Sequence, residues 1–182
     1  MMRIVYASLP MRSLSLMAMA GHIDRLNGAI GRAISWLTLW VVVVQFALVL
    51  MRYVFDVGSI WLHESIFYAH AAAFLLAAAW TLREDGHVRV DIFYAEASPR
   101  TKAVIELAGA LLLLLPFAAA VVWLALPYVG RSWAILERSH ETSGLPGVFL
   151  LKSLIPLFAL LLALQGVAQA IRAAHALRSE GK

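Results

Sequence analysis

Arg83, Glu84, Asp85, His87, Arg89 and Asp91 place six ionisable side chains within nine consecutive positions. Acids, a histidine and arginines so close together can move protons, or they can form the polar joint where two apolar helices leave a bilayer. Other candidates for chemistry are few. His63 and His70 stand seven residues apart and share one helix face, so they cannot sandwich a haem, which needs ligands at matching depth on facing helices. His22, His87, His140 and His175 fall outside the apolar runs. There is no His-Glu-x-x-His pair, and Gly58-Ser59 lacks the context of a nucleophile elbow. A second charged cluster, Glu137-Arg138-Ser139-His140-Glu141, reads as a solvated loop. The chain has no cysteine, which excludes disulfides, thiolate catalysis and zinc–thiolate sites.

The elements that must carry these residues follow from composition. Of 182 residues, 62% are apolar and 14% charged, against about 45–50% and about 25% in soluble domains. One soluble core of this size cannot bury that excess, so lipid is its natural solvent. Four charge-free runs, 33–51, 65–82, 107–130 and 153–171, are each long enough for a transmembrane helix, which needs roughly 20 residues. Helix is required there because a lone strand would leave backbone groups unpaired in hydrocarbon. The fold expected is all-α: an integral membrane four-helix bundle, residues 23–172, with a loose tail at 1–22 and a second tail at 173–182.

Charge sets the expected orientation. Eleven Lys and Arg residues lie in 1–32, 83–106 and 172–182, and four lie on the other side: Arg52, Arg131, Arg138 and Lys152. The positive-inside rule places both termini and the 83–106 loop in the cytoplasm. Trp36, Trp40, Tyr53, Trp61, Trp80, Tyr128 and Trp133 fall near span ends, as interfacial aromatics do. The basic residues flank apolar runs and are not interleaved with aromatics, which suits anionic lipid and not nucleic acid. Ala18-Met19-Ala20 has the form of a signal-peptidase site, but the apolar stretch before it is short and broken by Arg12. Ile23, Leu26, Ile30 and Ile34 recur at helical spacing, which predicts an interfacial helix leading into the first span, or a plain extension of it.

Local signals add detail. Ser98-Pro99 is a helix start, with Ser as N-cap and Pro in the first turn. Pro116 and Pro127 lie inside the third span and should bend it. Gly144-Leu145-Pro146-Gly147 reads as a turn, and Gly86 supplies one after span two. The connector after Gly86 reads as extended or briefly helical, with Asp91 as a cap for the next helix. Seven alanines in span two favour close helix packing there. Within the spans polar residues are sparse, Ser35, Thr38, Gln45, His70 and Gln165 among them. A transporter working alone usually places ionisable groups inside the membrane, and this chain has no Asp, Glu, Lys or Arg there.

Arg52-Tyr53-Val54-Phe55, Trp61-Leu62-His63-Glu64 and, above all, Leu82-Arg83-Glu84-Asp85-Gly86-His87-Val88-Arg89-Val90-Asp91 carry a resemblance. From about Asp24 to Arg172 the chain resembles the small membrane subunit of tripartite ATP-independent periplasmic (TRAP) transporters. Ser143-Gly144-Leu145-Pro146, then Lys152 and Ile155-Pro156, add to it. The family often has two consecutive acids after the tryptophan, where this chain has His63-Glu64. The resemblance implies a four-span, non-enzymatic subunit of the bacterial inner membrane without a cofactor of its own. Its implied partners are a large twelve-span membrane subunit, which carries substrate and sodium sites and moves as an elevator, and a periplasmic binding protein that delivers an organic acid. On this reading Arg52, Trp61 and Glu64 organise the outer joint, Arg83, His87 and Asp91 the inner one, and Lys152 adds a partner or structural contact. The alternatives are a stand-alone small transporter or channel, and a membrane redox subunit.

Overall fold

A computed structural model describes residues 11–87 and 94–179, with only the backbone of residues 11–13. Among these the architecture is helical, with four helices long and apolar enough to cross a membrane. They are α1 (Met11–Phe55), α2 (Ile60–Arg83), α3 (Pro99–Ala134) and α4 (Val148–Ser179).

The arrangement is not a symmetric ring. The last helix, α4, packs against each of the other three, while α1 pairs chiefly with α2. Burial follows: Ala159, Leu161, Leu162, Gln165, Gly166, Ala168 and Ala173 of α4 are buried, but only Ala69 and Ala79 of α2. The alanine-rich second span is therefore less enclosed than the fourth. Small residues make the close approaches throughout. A Cβ on Gly166 would sit 2.7 Å from Leu114 Cδ2, and one on Gly31 would overlap the Trp80 indole. This is membrane-style packing, in which short side chains let backbones approach and dispersion supplies the gain.

At 1.5 Å per residue, the 45 residues of α1 extend about 68 Å, far beyond a hydrocarbon layer of about 30 Å. The helix takes in residues 11–22, expected as a tail, because Leu16 and Ala20 continue the apolar stripe upstream of Ile23. Ala20 and Ile23 pack on Ala168, with Ile171 alongside. Leu16 and Met17 share an apolar cavity of about 280 Å³ with Leu111 and Leu115 of α3 and with Val167 and Ala170 of α4. The helix thus starts beside α3, crosses α4 and then runs along α2.

α3 begins as expected: Ser98 caps it, accepting from Thr101 N at 3.2 Å, and Pro99 occupies the first turn. The helix then changes pitch. Residues Gly109–Leu114 form a π segment, closed by Leu115 N–H donating to Ala110 O. Pro116 follows directly, and the cause is steric. Proline lacks an N–H and clashes with the carbonyl four residues back, so a wider turn ahead of it relieves the ladder.

Among the described residues, three that are not glycine take left-handed conformations at loop entries: Asp56 (φ 52), Asp85 (φ 55) and Leu136 (φ 46). After α2, Asp85 N–H donates to Leu82 O at 3.3 Å and Gly86 N–H to Thr81 O at 2.9 Å, a Schellman closure. The left-handed residue is Asp85 and not Gly86, since a short polar side chain tolerates that region. Gly86 instead allows close approach, as a Cβ there would lie 3.1 Å from Thr81 Cγ2. The connector at 88–93, Asp91 included, lies outside the described residues.

Candidate functional site: polar joints at the two ends of the bundle

The polar contacts between helices gather at the two ends. At the end where α1 passes to α2, Glu64 in the second turn of α2 reaches the loop between α3 and α4. Its carboxylate accepts from Ser139 Oγ and, at 2.5 Å, from Leu145 N. Leu145 O in turn accepts from Ser139 N at 3.3 Å, so one carboxylate gathers both limbs of the loop. A Cβ on Gly144 would overlap Ser139 and come within 2.7 Å of Glu64 Oε1, so glycine is needed at this point of the turn.

A second tie lies at the same end. Lys152 Nζ meets Glu137 Oε2 at 2.5 Å and lies 4.3 Å from the centroid of the Tyr128 ring. The ammonium hydrogen bond from Lys152 holds the Glu137 carboxyl below its ordinary value. Nearby, Trp133 Nε1 donates to Ser153 Oγ at 2.8 Å, and its ring meets Phe149 edge-on at 4.7 Å. These contacts fasten the end of α3 to the start of α4. Glu137, read from sequence as part of a solvated loop, is instead drawn into this tie.

Arg52 lines a cleft of about 620 Å³ with Gly58, Ser59, His63, Glu64 and Glu141. Arg52 and Glu64 therefore share a wall, but Glu64 spends its oxygens on the loop. Trp61, in the first turn of α2, is half-exposed and turned away from the bundle.

The opposite end is tied by a network that joins α1 to α4. Arg172 Nη1 meets Asp24 Oδ2 at 2.7 Å, and Gln165 Nε2 donates to Asp24 Oδ1 at 2.9 Å. Asn27 Nδ2 donates to Gln165 Oε1 at 2.7 Å. Asn27 and Gln165 are fully buried, so these bonds form in a low-dielectric setting where they specify one register. Gln169 Nε2 approaches Leu82 O at 3.5 Å and adds α2. Arg83 pairs with Glu84 at 3.2 Å and lies against Gly28 of α1. Asp24, Arg83, Asp85, Glu106, Gln169 and Arg172 surround a polar cavity of about 260 Å³. His87 stands exposed just beyond it.

Sequence reasoning therefore named one member of each tie at the first end, Glu64 and Lys152, and missed their partners Ser139 and Glu137. It missed the Asp24–Asn27–Gln165–Arg172 network altogether. A signal existed: Gln165 and Gln169 are the two amides within the fourth charge-free run.

Each carboxylate named in a tie is engaged in holding one element to another. The decisive comparison is with a family. The family described as tripartite ATP-independent periplasmic transporters, DctQ component, matches residues 41–176. The chain belongs to this family. It is the small component of a TRAP transporter. No characterised protein and no solved structure matches it. The matched span opens within α1 and closes within α4, so this TRAP component carries both joints inside or beside the shared region. Its four apolar helices make it a multi-pass membrane protein.

Proposed function

We propose that this TRAP component is the fixed brace of a secondary, sodium-coupled importer of organic acids or related small solutes. It sits in the inner membrane with both termini cytoplasmic, beside a large permease subunit that carries substrate and ion, and it is served by a periplasmic binding protein. The observation that carries this reading is the distribution of charge. The Asp, Glu, Lys and Arg residues lie at the ends of the four runs, and the ion pairs Lys152–Glu137 and Arg172–Asp24 join elements of this chain to one another. Nothing ionised is left at mid-span to bind an anion or a coupling cation.

Arg52, Trp61, Glu64 and Lys152 then stabilise the outer joint, and Arg83, His87 and Asp91 the inner one. The test is flux. Proteoliposomes holding this chain alone accumulate no organic anion under a sodium gradient. Those holding it with its large subunit do so once binding protein is added outside. Uptake by this chain alone overturns the reading.

A further inference from the structure

Thr38, Gln45 and Arg52 stand seven residues apart on α1, and His63 and His70 stand seven apart on α2; all five are exposed. Seven residues are nearly two helical turns, so each set forms one stripe along its helix. The two stripes belong to one groove, because Arg52 and His63 line the same cleft. α1 and α2 run antiparallel, with Gly31 against Trp80 and Gly28 against Arg83. Gln45 and His70 therefore lie within about one turn of each other in height.

Depth makes this pair unusual. From His63 to Arg83 is about 30 Å of helix, the thickness of the hydrocarbon layer. His70 and Gln45 lie roughly 10 Å in from the His63–Arg52 end. Among the described residues neither makes a hydrogen bond; His70 only stacks on Phe74, with centroids 6.4 Å apart. Acyl chains offer no donor or acceptor, so leaving an amide and an imidazole against lipid is costly. The exposed flank of α3 differs: Leu112, Leu113, Phe117 and Leu124 are apolar, and the Trp123 indole N–H lies among them.

We infer that the α1–α2 groove is the face on which the large membrane subunit lays a transmembrane helix. That helix presents a hydrogen-bonding group at the depth of Gln45 and His70. A polypeptide is required because tails cannot satisfy these groups. The large subunit is that polypeptide on the brace reading, which sets it beside this chain; a second copy of this chain is the competing occupant that the crosslinks separate from it. The inference rests on the brace reading above and goes further by naming the face.

The test uses the full chain co-expressed with its large subunit and purified in mild detergent, with the photo-crosslinker p-benzoylphenylalanine at Phe67 or Phe74, or at Leu113 or Leu124 on α3. Crosslinks to the large subunit are expected from the first pair and not the second. The double variant Gln45→Leu, His70→Leu should weaken retention of the large subunit by about tenfold, the loss of one or two interhelical hydrogen bonds. If the complex forms but crosslinks only from α3, or if Phe67 and Phe74 capture a second copy of this chain, the face is wrong while the brace reading stands. If no large subunit is retained by the unmodified chain, both fall.

Discussion

Single side chains at the loop end decide whether the bundle closes. Glu64 is the side chain that ties Ser139 and Leu145 to α2, so Glu64→Gln should loosen the loop without unfolding the helices. The expected readout is faster amide exchange at Leu145 and easier proteolysis within 139–147, with helical content unchanged. Glu137 makes a pH prediction. Its pKa is depressed in the folded chain, so its contribution is complete above the unfolded value, about 4.3, and is lost as pH falls through the lower folded value. Melting temperature in detergent should hold steady down to that range and then fall, and Glu137→Gln should start lower and fall less. Leu136 makes a third prediction. A branched residue at φ 46 bears a left-handed cost of about 1–2 kcal/mol, so Leu136→Gly should leave stability unchanged or raise it by up to about 1 kcal/mol once backbone entropy is subtracted.

At the scale of elements, the buried amide pair and the π segment set how helices register. Gln165→Ala removes the acceptor for Asn27 and a donor to Asp24 inside the bundle. A loss of about 1–3 kcal/mol is expected for unpaired buried groups, measurable by chemical denaturation in micelles. Deleting one residue within 109–114 should restore regular pitch and turn Glu106 about 100° around the helix axis. It would then leave the cavity it lines with Arg83 and Arg172. A cysteine pair across Glu106 and Gln169, in a chain with no cysteine of its own, should crosslink before the deletion and not after. These features also mark where sequence legibility ends. The spans could be located because charge-free runs are a matter of counting, and Ser98-Pro99 announces its helix through local chemistry. The π segment could not be foreseen, because its wider turn is an outcome of Pro116 meeting the close approach of Gly166 to Leu114.

Over the whole molecule, the architecture class followed from composition but the packing order did not. In water an apolar stripe shows which face of a helix turns inward. In lipid both faces are apolar, so Leu112 toward the tails and Leu161 toward the core look alike in sequence. What distinguishes them is size and polarity: the enclosed positions are largely alanines and glycines, with Asn27 and Gln165 among them. The same reasoning explains the candidate site. Glu64 and Lys152 were visible as charges beside apolar runs, whereas Ser139 and Asp24 acquire meaning only from partners 75 and 148 residues away.

The post around which the other helices stand is α4, and it is the last of them to leave the ribosome. Until it emerges, Asp24 and Asn27 have no mate, and α3 has nothing to lean on. Assembly of these four helices must therefore wait until α4 has been made, when it slots between older ones already in the bilayer. A message truncated after residue 147 should yield a chain that inserts but never settles, and a pulse-chase should find it degraded within the time the full-length protein takes to mature.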